Sequence, residues 1–187
     1  MRRLINILLS SRKVDKNILF FGLHIHKTAG MSLLEQVRYR LPNSKHYINS
    51  MYGINFKNNI KELEERTPQQ RNDIRFVFGH GIHEYMLSYF PNKTIHLFTF
   101  LREPISRIVS FYCYNSKLLT DKGKKANSFN DFYNRFFPGF SQCNMLIHRF
   151  PSFVDSPKDP PHLQAISVLQ KFHFISTIDD YSSKTPY

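Results

Sequence analysis

Residues 17–32, NILFFGLHIHKTAGMS, decide the fold. Asn17–His26 is a dense apolar run with turn residues behind it, and it reads as a buried strand. Lys27–Gly30 makes a tight turn. Met31–Leu41 then reads as a helix, with Leu33, Leu34 and Val37 on one side and Pro42 ending it. Backbone N–H groups at such a helix start face an anion, and the helix dipole adds to the attraction. Lys27 supplies a mobile positive charge, and Thr28 and Ser32 supply hydroxyls. The stretch therefore fits a phosphate cradle. It is not a Walker A loop, because GxxxxGK[ST] is absent and the Lys precedes the Gly. Taken alone, the stretch fits a plain strand-to-helix turn equally well.

Outward from it the pattern repeats. Ile74–Phe78 and Thr94–Leu101 read as two more strands, and Phe172–Thr177 as a last one. Helices are expected over 60–66, 82–89, 104 to about 119, 128–136, 141–149 and 162–170. Residues 43–60 are polar, Asn-rich and nearly patternless. Residues 120–127 form a basic loop, and 151–161 form a Pro-rich connection. Strands alternating with helices predict an α/β fold with a mostly parallel central sheet flanked by helices, as one domain over 1–187 with residues 1–16 as a basic extension. In such sheets ligands sit beyond the carboxyl ends of the strands. Three of those ends carry polar residues that a core does not need: His26-Lys27, Gly79-His80 and Leu101-Arg102.

The third of these ends opens a second motif, LREPISRIVSFY from Leu101 to Tyr112. Arg102 at a strand end can fork a phosphate. Ser110 follows two helical turns later and could reach the same anion. The competing expectation pairs Arg102 with a surface carboxylate such as Glu103 and leaves Ser110 a neutral helix residue.

Composition narrows the partners. The chain has 187 residues with 26 Lys+Arg against 14 Asp+Glu, a formal net charge of +12 that implies an anionic partner. The 41% apolar content argues against disorder. Cys113 and Cys143 are too few for a disulfide framework or a four-Cys zinc site, and are expected to be reduced thiols. Leu4–Leu9 falls far short of the roughly 18 residues a membrane span needs, and no cleavage site follows it. The expectation is a cytoplasmic protein, with peripheral membrane contact by the N-terminus left open. The basic residues are scattered rather than arranged along one face, which ranks nucleic-acid binding last.

The two motifs together resemble the sulfotransferases that use 3′-phosphoadenosine 5′-phosphosulfate (PAPS), closest to the carbohydrate enzymes of the heparan sulfate 2-O type. Their first motif is similar to P-K-T-[AG]-G-T-S, where this chain has His26-Lys27-Thr28-Ala29-Gly30-Met31-Ser32. Their second is similar to L-R-[DE]-P-x-x-R-x-x-S-x-Y, met at every fixed position from Leu101 to Tyr112. The resemblance covers about residues 18–112 and, more weakly, His173–Tyr181. It implies a P-loop-like core, PAPS as cosubstrate without a metal, and a glycan or other hydroxyl acceptor, of which an anionic one suits the surplus charge. It further implies that Lys27, Thr28, Ala29, Gly30, Met31 and Ser32 hold the 5′-phosphosulfate, with Lys27 also the electrostatic catalyst. Arg102 and Ser110 would hold the 3′-phosphate, and His80 would be the base. Met31 stands where the family has Thr, and the chain is short beyond the late strand. A nucleotide-binding protein without turnover is therefore the alternative.

The nine histidines also invite a metal reading. His24 with His26, and His80 with His83, could build a site, but no carboxylate or Cys accompanies them at a metal spacing. His26 is expected to line the site and His24 to be packed and hydrogen-bonded. His83 is second to His80 as base, with Glu84 and Glu35 behind it. His96 is expected to be structural. Acceptor specificity is expected in 43–73 and 113–172, which hold no motif.

Overall fold

The computed structural model describes residues 16–41, 47–50 and 56–177. Residues 1–15 of the basic extension and residues 178–187 of the tail lie outside these. The strands are β1 (Ile18–Leu23), β2 (Tyr47–Ser50), β3 (Phe76–Gly79), β4 (Thr94–Leu101) and β5 (Phe174–Thr177). They form one sheet in the order β2-β3-β1-β4-β5, and every pairing is parallel. The helices are α1 (Gly30–Arg40), α2 (Phe56–Glu65), α3 (Pro68–Asn72), α4 (Pro104–Asp121), α5 (Phe129–Phe140), α6 (Gln142–Arg149) and α7 (Pro161–Gln170). The expected parallel α/β architecture is what the chain forms.

The two-residue alternation of β1 sorts the core onto two faces. Leu19, Phe21 and Leu23 join Val77, Leu97, Met86, Leu146, Phe150 and Val168, burying one face under α6, α7 and the 3-10 turn Glu84–Tyr89. Phe20 turns the other way, onto Phe76, Phe78, Phe98 and Phe100 beneath Leu33, Leu34 and Val37 of α1. Each buried Phe contributes about 1.5–3 kcal/mol of transfer free energy. Gly22 is required on this face, because a Cβ there would lie 2.1 Å from the Phe98 ring.

The connection after β1 leaves toward β2, whereas the one after β4 leaves toward β5. The chain thus parts at the β1/β4 boundary, the place where open α/β sheets bind ligands. The register aligns Leu23 with Thr99 there, so the turn after β1 and the start of α4 meet at one crevice.

Several elements differ from expectation. β1 stops at Leu23, and His24 makes one more backbone bond, to Gly79 O at 3.0 Å, before the chain turns. β2 was hidden in an Asn-rich stretch; pairing with β3, Tyr47 opposite Phe76, makes it a strand. α2 starts at Phe56 rather than Ile60. α2 ends just before Thr67-Pro68, and the pair opens the next helix: Thr67 caps α3 through a reciprocal box with Gln70. The helix expected over 82–89 forms as a 3-10 turn over Glu84–Tyr89. α5 runs a turn past Phe136, with Tyr133 stacked on Phe137 at 4.6 Å. Among the described residues no helix is long and apolar enough to cross a membrane.

Candidate active site

The turn after β1 has an unusual backbone. Lys27 and Ala29 both sit in the left-handed region, at φ 67° and 57°. That conformation costs a non-glycine residue about 1–2 kcal/mol. Positive φ at both residues bends the chain sharply just ahead of the N-terminus of α1. Ala29 is the N-cap of α1 and has no side-chain oxygen to satisfy the first-turn N–H groups. Thr28 is fully buried, and its hydroxyl donates to Ile25 O at 2.6 Å. This corrects one expectation: Thr28 fastens the turn to the strand, and what it can offer an anion is its backbone N–H. Ser32 is half-buried in the first turn of α1, and Met31 is exposed.

Gly30 is explained by packing. A Cβ there would lie 2.2 Å from the His24 ring. His24 is itself buried, as expected. Its ring belongs to a column of five: Phe78, His24, His80, His26 and Phe111, with successive centroids 5.1, 4.2, 3.6 and 5.5 Å apart and planes within 28°. The column brings together the ends of β1 and β3 and the middle of α4.

Within it His80 Nδ1 lies 2.5 Å from His24 O. A carbonyl only accepts, so Nδ1 carries the hydrogen and Nε2 keeps a lone pair, which is what a base requires. Burial pushes all three imidazoles down, His24 to about 2, His26 to about 3 and His80 to about 4. Among the described residues, the fixed charges that act on them are all cationic: Lys27, Arg107 and Arg149. The rings are neutral at pH 7 in a field that favours an anionic guest.

Arg102 follows β4, and its Nη1 reaches Lys27 O at 3.4 Å, so the two sequence motifs meet. The expected competition with Glu103 does not arise. The Glu103 carboxylate accepts from Ile105 N and Ser106 N at 2.9 and 2.6 Å, capping α4, and these bonds hold its pKa below the usual value. Arg102 forms no ion pair among the described residues. The Lys27 ammonium rests 4.5 Å above the Tyr114 ring. Burial and then the Arg102 charge lower its pKa. Arg107, Ser110, Phe111 and Tyr114 recur at i, i+3, i+4 and i+7, one face of α4. Phe111 touches His26 and Tyr114 touches Lys27, so half-buried Ser110 lies on the face that adjoins the site.

Other candidates have structural duties. Glu84 accepts from Ser152 N and Oγ, at 2.9–3.2 Å, pinning the chain after α6 to the 3-10 turn. Glu35 is exposed on α1. His83 stands outside the column, 4.8 Å from the Tyr85 ring, with its pKa lowered chiefly by burial. His96 stacks on Phe20 at 5.5 Å, toward the opposite end of the sheet. Among the described residues no three His, Cys, Asp or Glu side chains group as metal ligands.

Three residues at the site were not singled out from the sequence. Gln142 accepts from Arg102 N at 3.0 Å and donates to Arg102 O at 2.8 Å, fixing the backbone that aims the guanidinium. Nothing local marks it, since the partner is 40 residues away. Arg149, in the last turn of α6, likewise reaches the histidines only through the fold. Arg107 is 2% exposed, a buried cation beside His26. Its place in the second motif was the available signal.

No protein-family model and no curated protein matches the chain. Among solved structures, that of mouse sulfotransferase SULT7A1 complexed with PAP is similar, with a TM-score of 0.47 and 16% identity over 94% of this chain and 56% of the mouse chain. The chain spans little more than half the length of that protein. A likeness of this size assigns no residue a role.

Proposed function

We propose that this chain transfers a sulfuryl group from PAPS to a hydroxyl, with a carbohydrate as the acceptor. The observation that carries the proposal is the meeting of the two motifs: the left-handed turn at Lys27–Ala29 and the Arg102 guanidinium, 3.4 Å apart at the β1/β4 boundary. A nucleotide with phosphates on both the 3′ and 5′ positions of one ribose needs two neighbouring anion sites. The turn takes the 5′-phosphosulfate on backbone N–H groups, Ser32 and Lys27. Arg102, with Ser110, takes the 3′-phosphate.

The chemistry follows from charge. In an in-line displacement negative charge develops on the leaving phosphate oxygen, where the Lys27 ammonium stabilises it. The acceptor hydroxyl gives its proton to His80 Nε2, whose Nδ1–H bond to His24 O fixes the tautomer. Transfer of labelled sulfate from PAPS to a glycan panel tests the proposal. The wild-type chain should label an acceptor, and His80→Ala should stop the labelling without weakening nucleotide binding. Labelling that survives His80→Ala refutes the assignment of the base.

Two observations favour a second reading, nucleotide binding without turnover: the Thr28 hydroxyl is spent on Ile25 O, and Met31 supplies no hydroxyl. In that case nucleotide binds normally and no member of the panel is labelled.

A further inference from the structure

The ring column carries a consequence for His26, the residue just before the phosphate turn. Rotation of the His80 ring about its Cβ–Cγ bond would carry Nδ1 off His24 O and release the tautomer that this hydrogen bond fixes. Two flat plates oppose that rotation. His24 lies against one face at 4.2 Å, and His26 against the other at 3.6 Å and 18°. His24 is immobilised by burial and by the contact with Gly30. His26 is half-buried and is backed by Phe111 of α4 at 5.5 Å. It therefore closes the stack on the side of the phosphate turn.

We propose that His26 is a positioning residue: its ring, stacked flat on His80, holds the base in the one orientation that presents Nε2 to the acceptor hydroxyl. This rests on the sulfuryl-transfer reading for its purpose, though not for its geometry. In the step, the acceptor O–H bond breaks and an N–H bond forms at His80 Nε2. A new S–O bond forms as the bond from sulfur to the PAPS phosphate oxygen breaks. His80 becomes an imidazolium held between the His24 and His26 rings. The charged groups acting on His26 are Lys27 from the turn, Arg107 from α4 and Arg149 from α6, together with its neighbour His80. All disfavour a proton on His26, so it serves as a neutral plate rather than a second base.

Nitrogen NMR of the histidine rings, with the whole chain, reads the tautomer directly. Wild type should show His80 as a single Nδ1-protonated species at pH 7. His26→Ala should mix the tautomers and move the His80 titration up by at least one pH unit. Sulfate release from PAPS, with water as acceptor, should fall about tenfold, a part of the about 10²–10⁴-fold that a positioned base supplies. His26→Phe keeps a flat ring and should restore both the tautomer and most of the rate. His26→Leu fills the volume without a flat face and replaces the Ala variant if that chain does not fold. A His26→Ala or His26→Leu chain with wild-type tautomer and rate overturns the proposal. So does a His26→Phe chain as impaired as the Ala or Leu variant. Absence of adenosine 3′,5′-bisphosphate binding by wild type refutes the sulfuryl-transfer reading instead, and the tautomer comparison still decides the role of His26.

Discussion

Replacing Gly30 with Ala sets two well-understood effects against each other. Gly30 opens α1, where Ala has the better helix propensity by up to about 1 kcal/mol. On that ground alone the variant should be more stable. The structure says otherwise. The added Cβ would lie 2.2, 2.3 and 2.4 Å from three atoms of the His24 ring, against about 3.5–4 Å for a comfortable carbon contact. The ring cannot retreat freely, because Phe78 and His80 stack on it at 5.1 and 4.2 Å. Overpacking of this kind costs about 1–3 kcal/mol, so a net loss of up to about 2 kcal/mol is expected after the helix gain. Urea unfolding should show a lower midpoint at unchanged slope. Gly139→Ala is the internal control. A Cβ there meets nothing within 4 Å in α5, so propensity acts alone and the chain should gain about 0.5–1 kcal/mol. A Gly30→Ala chain as stabilised as Gly139→Ala refutes the packing of the turn on His24.

Acid should unfold the protein early. His24, His26 and His80 have folded pKa values of about 2, 3 and 4 against 6.5, so below pH 6.5 the unfolded chain takes up protons that the folded chain refuses. Stability is full above about pH 7 and falls by up to about 1.4 kcal/mol per pH unit per histidine, about 4 for the three together. The loss from His80 levels off below its folded value. Circular dichroism against pH checks this, and stability that stays flat from pH 7 to pH 5 contradicts it. Gln142→Ala removes both bonds to the Arg102 backbone; at about 1 kcal/mol each, nucleotide affinity should fall about tenfold or more. Calorimetry showing an unchanged affinity would mean that Gln142 does not position Arg102.

The sequence disclosed the parts of the fold that depend on local pattern. The apolar run through β1 and the strand Thr94–Leu101 announced themselves, as did the helices beginning near 128 and 141, which Ser128 and Ser141 cap. β2 could not be read, because Tyr47–Ser50 becomes a strand only through pairing with β3. The same division holds at the site. Lys27, His80 and Arg102 stand at strand ends where the chain must turn, so their positions were legible. Gln142 and Arg149 come from α6, which reaches the crevice through tertiary packing. The stacking of His24, His80 and His26 joins residues 56 positions apart, and nothing in the two separate His pairs of the sequence announces it. The Thr28 hydroxyl shows the opposite error, a donor expected at the ligand that the fold uses to tie its own turn.

Calorimetric titration with adenosine 3′,5′-bisphosphate tests the central claim most directly. The wild-type chain should bind one equivalent, and Arg102→Ala should lose about 1.5–3 kcal/mol of that affinity, the value of hydrogen bonds to a charged group. Absence of binding at millimolar nucleotide, or binding that Arg102→Ala leaves unchanged, contradicts the account.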